Sequence, residues 1–276
     1  MKVAVTAANG SLGTAVIRNL KLELGADNVI GIARTPEKAE HLGVEIRKGD
    51  YNLKSDFDLA LKGVDALLIV SGMDHPDVRI IQHQNIINAA KEAGVKKLVY
   101  SSIIGKAGQS TFDPVINSNR QTEEDVQASG LDWAIGRNGL YIEPDVDFIE
   151  YYKADGKVAN CGGSGLCSYV SRDELGYAYA KMLLSDDRNS KVFNLCGDAI
   201  SQAQLTDYMN RAFDLNLVYE EMSPEAYLLF QQKSNGEFLG TIIAGIYTKI
   251  RNGEFHISSD YLLAAGKSHV KWEDYF

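Results

Sequence analysis

Through the first 140 residues, short β-branched runs alternate with stretches in which apolar residues recur every three or four positions. That order gives a parallel sheet covered by helices on both faces. The runs place strands at 2–6, 29–33, 44–48, 66–71, 97–101 and 132–137. Helices are expected between them at 12–24, 36–42, 55–61, 77–93 and 119–129, several opened by Ser, Asp or Asn caps. The expected fold class is α/β, a doubly wound parallel sheet.

Past residue 140 the periodicity loosens. A Gly-rich stretch at 162–165 and a strand at 191–196 accompany helices near 172–184, 201–213, 223–232 and 238–251. This reads as a smaller, mostly helical α/β lobe, 141–276, set against a sheet domain at 1–140. The apolar run 192–195 also suits a return to the first sheet, which leaves the boundary soft.

A chain of 276 residues with 45% hydrophobic and 24% charged residues and five prolines should fold throughout. Its net charge of −9, with no Lys/Arg block longer than a pair, repels nucleic acid. No stretch approaches the roughly 18 apolar residues of a membrane span. The opening Met-Lys-Val-Ala-Val runs into a Gly-rich turn rather than a small-residue cleavage site. A soluble, cytoplasmic protein is expected. The cysteines Cys161, Cys167 and Cys196 are odd in number and lack CxxC pairing, so they read as buried free thiols. His41, His75, His83, His256 and His269 have no metal-ligand spacing, and no metal is expected.

The candidate chemistry starts at residues 3–13, VAVTAANGSLG, a buried strand that turns into a helix. This is the context of a Rossmann dinucleotide fingerprint. Small residues keep the turn tight, Gly10 lets the backbone approach a pyrophosphate, and Gly13 lets the helix pack on the strand. The free N–H groups at the helix start then meet the phosphates. Contacts are expected from Thr6, Ala8, Asn9, Gly10, Ser11, Leu12 and Gly13. Ala7 stands where the usual first glycine would be, and alanine resists positive φ, so the turn is either distorted or weakened.

An NAD-preferring site carries an acid at the end of the second strand, about 20 residues past the glycines. Here that place holds Arg34, whose guanidinium suits a 2′-phosphate and offers nothing to a 2′-hydroxyl, so NADPH is expected. Asp50 at the end of the third strand could meet an adenine or begin a turn. Ser71, Gly72 and Met73 end the fourth strand beside the expected crevice, although Met73 also suits the core.

Together these segments resemble the NmrA-like branch of the atypical short-chain dehydrogenase/reductases, and especially the bacterial quinone oxidoreductase and triphenylmethane dye reductase group. The likeness is carried by VTAANGSLG at 5–13, GIARTPEKA at 31–39, KGDY at 48–51, NIINAAKEAGVKKLVYSS at 85–102, RNGLY at 137–141 and SRDEL at 171–175. The resemblance implies further cofactor contacts from Arg137, Asn138, Gly139, Leu140 and Tyr141 beside the nicotinamide. Read locally, Asn138-Gly139 is also a turn signal, and Tyr141 could anchor the second lobe.

Ordinary members of the wider superfamily use a tyrosine acid with a lysine four residues on. The only such spacing here is Tyr177 with Lys181, on a helix beyond the expected place. The expected helix holds Asn119, Arg120, Thr122, Glu123 and Glu124 and no tyrosine. Acceptors that need no positioned acid are therefore favoured: a quinone or a related electron-poor aromatic compound taking hydride directly, oriented by Tyr100, Asn138 and Tyr141. The alternative that the resemblance leaves open is a non-catalytic NADP(H)-binding redox sensor, and a homodimer is left open as well.

Overall fold

In the computed structural model, which describes residues 1–108 and 110–276, the first 138 residues build a wound sheet. In chain order they form β1 (Val3–Val5), α1 (Ser11–Leu24), β2 (Val29–Ala33), β3 (Glu45–Lys48) and α2 (Lys54–Ala60). Then follow β4 (Ala66–Ile69), α3 (Pro76–Ala93), β5 (Lys97–Ile103), α4 (Asp113–Gln127) and β6 (Asp132–Asn138). Alternation sorts the side chains: Val3 and Val5 face one buried layer with Val16, Ile17 and Leu20 of α1, while Ala4 faces the other. All six strands are parallel, as expected.

The expected helix at 36–42 is instead two separate 3-10 turns, Pro36–Lys38 and Glu40–Leu42. Gly43 turns left-handed directly after them (φ 63°) and β3 begins at Glu45, so the connection has no length for an α-helix.

The rest of the chain comprises β7 (Leu140–Tyr141), α5 (Glu143–Asp147), α6 (Ile149–Asp155), β8 (Lys157–Asn160), β9 (Leu166–Val170) and α7 (Arg172–Leu184). After these come β10 (Lys191–Leu195), β11 (Ala199–Ser201), α8 (Gln202–Phe213), β12 (Val218–Glu221), α9 (Pro224–Asn235), α10 (Glu237–Arg251), α11 (Tyr261–Ala265) and α12 (Trp272–Tyr275). β10 joins the first sheet beside β6, giving the order β3-β2-β1-β4-β5-β6-β10. α7 packs on α1 so closely that a Cβ on Gly176 would lie 2.8 Å from that of Ala15. The lobe outside this sheet is mostly helical, as expected, and also carries short strands that the sequence pattern does not show. It holds a three-stranded sheet, β11-β9-β7, and a two-stranded one, β12-β8.

Strand order reverses direction between β1 and β4, whose connections run outward to opposite sides, and this opens a crevice at their C-terminal ends. Among the described residues, no helix is long and apolar enough to cross a membrane. All three cysteines are buried and free.

The second lobe is tied to this edge by a buried charge. Lys249 of α10 is fully buried, with Nζ 2.8 Å from the Asp113 carboxylate and 2.5 Å from Glu254. Asp113, opening α4, also accepts the Gly108 and Ser110 amides. Lys249→Ala strands two carboxylates, and equilibrium denaturant unfolding should show a loss of about 3 kcal/mol.

Candidate cofactor and acceptor cleft

The turn after β1 is built around a strained residue. Ala7 takes a left-handed conformation (φ 49°), so the turn keeps the geometry that a glycine would give it. Its carbonyl accepts the Gly10 amide at 2.9 Å. A Cβ on Gly13 would lie 2.4 Å from that same carbonyl oxygen, so only glycine lets α1 begin where it does. Gly10 is the N-cap and no side chain caps the helix. The first N–H groups of α1, at Ser11, Leu12 and Gly13, therefore point outward with no intrahelical partner. Asn9, Gly10 and Ser11 are exposed beside them, whereas Ala8 and Leu12 are buried. Exposed amides with a helix dipole behind them are the donor set that a pyrophosphate requires.

Arg34 follows β2 directly, is exposed, and makes no ion pair among the described residues. Its guanidinium is free to take a 2′-phosphate. Two expected contacts turn out to be structural. Thr6 is fully buried, its hydroxyl 2.5 Å from the Tyr51 hydroxyl and accepting the Val70 amide at 2.9 Å. Its own amide donates to Leu68, so neither its hydroxyl nor its amide is free. The Asp50 carboxylate accepts both the backbone and the side-chain nitrogen of Asn52, which makes it a turn former.

At the end of β4, Met73 is 89% exposed and belongs to the rim, not the core. Ser71 and Gly72 are partly buried and rest on polar groups that the sequence reading passed over. The Gly72 amide donates to His83 Nε2 (3.1 Å). His83 Nδ1 then faces Thr122 Oγ1 at 2.9 Å, and Thr122 donates to Ser118, so Nδ1 carries the proton. Burial, with Arg79 adding to it, pushes the His83 pKa down to about 3. Ser71 Oγ accepts from Arg79 (2.5 Å) and lies 3.2 Å from both Tyr100 Oη and Asn119 Oδ1. Tyr100 is wholly buried, its hydroxyl donating to Asn119, and burial raises its pKa despite the nearby Arg79. Its hydroxyl is therefore enclosed, whereas the sequence suggests that it faces an acceptor.

At β6, Asn138-Gly139 is not a turn: the chain runs straight from β6 into β7. A Cβ on Gly139 would meet the Ser168 carbonyl at 2.4 Å, and its amide donates to Leu195. Leu140 packs in the second lobe's core. Arg137, its side chain 32% exposed, makes a double hydrogen bond to the buried Glu123, which Arg120 also grips at 2.6 Å. Asn138 is buried. Its Oδ1 lies 2.5 Å from Tyr179 Oη, and its Nδ2 donates to Tyr141 Oη at 3.1 Å. Tyr141, partly buried under the Arg172 guanidinium, thus keeps its own hydroxyl proton free to donate.

Tyr177 and Lys181 lie elsewhere, on α7, where Lys181 pairs with Glu23 of α1 and sits over the Tyr177 ring. A groove of about 390 Å³ lies between the starts of α3, α4 and α10. It is lined by Pro76, Pro114, Val115 and Ile242, with the His75 and Phe238 rings stacked 5.9 Å apart.

Residues 7–184 match a family described as NAD(P)H-binding. Quinone oxidoreductase 2 of Escherichia coli (strain K12) is 31% identical over 225 residues, covering 80% of this chain and 78% of its own length. The Citrobacter sp. triphenylmethane reductase complexed with NADP(H) aligns at TM-score 0.90 and 30% identity over 99% of this chain and 98% of its own. The Escherichia coli NADPH-dependent quinone oxidoreductase complexed with NADPH aligns at TM-score 0.90 and 26% identity, with the same coverage.

Two outcomes follow from this geometry. Ala7→Gly removes the left-handed strain and should raise stability by up to about 1 kcal/mol in thermal unfolding, where glycine ordinarily costs that much. The neutral His83 contributes stability that is complete above the unfolded-state pKa of about 6.5 and is lost as pH falls toward 3, because the unfolded chain alone takes up the proton. Between pH 6.5 and 5 this amounts to about 2 kcal/mol. The unfolding free energy of His83→Gln, followed over the same range, should fall less steeply by that amount.

Proposed function

The chain belongs to the NAD(P)H-binding family, and on that premise we propose that it transfers hydride from NADPH to a quinone or a related electron-poor aromatic acceptor. Arg34 and the bare start of α1 would hold the 2′-phosphate and the pyrophosphate, and the bound nucleotide would supply the hydride. The observation that carries the acceptor class is the inward face of α4. It presents Asn119, Thr122 and Glu123, all buried, where a tyrosine and lysine acid pair would have to stand.

Without such a pair the site cannot protonate a poor acceptor as hydride arrives, so it suits one whose product is already a stable anion or neutral ring. The chain's own residues then bind, orient and exclude water. The groove with His75 and Phe238 offers an apolar seat for a flat ring, and Tyr141 has a hydroxyl proton to point at a carbonyl. The relatives, named for quinone and triphenylmethane dye reduction, support the same class.

The test is a pair of titrations followed by turnover. NADPH should bind at least tenfold more tightly than NADH, and Arg34→Ala should erase that preference by weakening NADPH alone, as loss of about 1.4 kcal/mol or more of charge-assisted bonding requires. Mixing protein, NADPH and a small quinone should consume nicotinamide absorbance. Tight NADPH binding with no turnover across several quinones and aromatic acceptors would sink the reductase reading.

A further inference from the structure

Arg79 on α3 is 5% exposed, yet no carboxylate lies within ion-pair distance of it among the described residues. Its Nη2 donates to Ser71 Oγ at 2.5 Å, and its buried Nε has no hydrogen-bond partner among the described residues. The acid nearest in influence, Asp74, is exposed and accepts from Gln82. Burying a guanidinium in this way costs several kcal/mol, and such a charge at a cleft marks a functional position.

The placement is specific. Ser71, partly exposed at the end of β4, is the group through which the charge reaches the crevice. Arg120 of α4 and Arg137 at the end of β6 surround the single carboxylate of Glu123. Two guanidiniums thus share the one buried carboxylate of Glu123, in a chain whose net charge is −9.

Resting on the reductase reading above, we propose that Arg79, acting through Ser71, tunes the acceptor site toward neutral oxygen-bearing rings that become oxyanions on reduction and against cationic dyes. When a quinone receives hydride, two electrons and one hydrogen enter it. One carbonyl oxygen ends as a hydroxyl and the other as a phenolate, which a proton from water then neutralises, while the nicotinamide leaves oxidised. A fixed positive charge lowers the energy of that phenolate. A cationic triarylmethane acceptor instead enters the same field as a like charge.

Arg79 is here a positioning and field-setting residue, so the test reads the field directly. The probe is 4-nitrophenol, titrated by its visible absorbance while bound to the NADP⁺-loaded protein. Bound probe should be about a tenfold stronger acid than free probe, Arg79→Gln should remove that gain, and Arg79→Lys should keep it. In parallel, Arg79→Gln should lower the ratio of kcat/KM for a neutral quinone to that for a cationic triarylmethane dye at least tenfold. If melting curves show Arg79→Gln unfolded, Ser71→Ala replaces it with the same expectations at reduced size.

An acidity gain that survives Arg79→Gln, or no gain in the native protein, overturns the proposal, and so does a failure of the probe to bind at all. A native protein that reduces neither acceptor defeats the reductase reading instead, and the probe titration still decides the role of Arg79.

Discussion

Gly13 brings the first turn of α1 against the Ala7 carbonyl at a separation that no side chain would allow, since a Cβ built there would sit 2.4 Å from the oxygen. From this contact the remaining geometry of the crevice follows. The helix can start immediately after the strand, its first amides stay bare, and its dipole points along the crevice rather than into the core. Ala7 pays for the arrangement with a left-handed backbone, a strain that glycine would avoid. The alanine therefore keeps the shape of the turn and gives up some stability.

Around that start the charges are arranged against the protein's overall sign. A net charge of −9 disfavours a phosphorylated ligand at long range, but screening limits such a field to about 8 Å at physiological salt. Close to the crevice the charges are local: the bare amides at the start of α1 and Arg34, which makes no ion pair among the described residues. The buried polar groups beneath Ser71 and Gly72 hold those two residues in place through His83, Thr122, Tyr100 and Asn119. Rigidity there comes from hydrogen bonds in a low-dielectric layer, where each is stronger than in water.

Strand positions and most helices of the first half were legible because their periods are strong, and Gly10 and Gly13 were legible because the fingerprint fixes their spacing. Thr6, Asp50, Arg137 and Tyr100 were read as contacts because they stand at strand ends. Thr6 and Tyr100 are buried against Tyr51 and Asn119, partners far away in sequence, while Asp50 bonds Asn52 two residues on and Arg137 pairs with Glu123. Arg79 and His83 were missed, although a signal existed: they share one helical stripe with Ile86 and Ala90, so a face that ends in the core begins with a cation and an imidazole. The strands of the second lobe escaped because they are two to five residues long, too short for a period to register.

The return of β10 to the edge of the first sheet bears on how the polypeptide matures. A ribosome delivers residues 1 to 138 well before Lys191, so β6 emerges with a bare hydrogen-bonding edge and α1 with an apolar flank awaiting α7. Until the intervening segment has been threaded out and folded back, the nascent sheet carries a sticky border of the kind that recruits stray strands. Closing this long-range pairing is the entropically slow step of assembly, so the nucleotide half reaches its finished form only with its neighbour present.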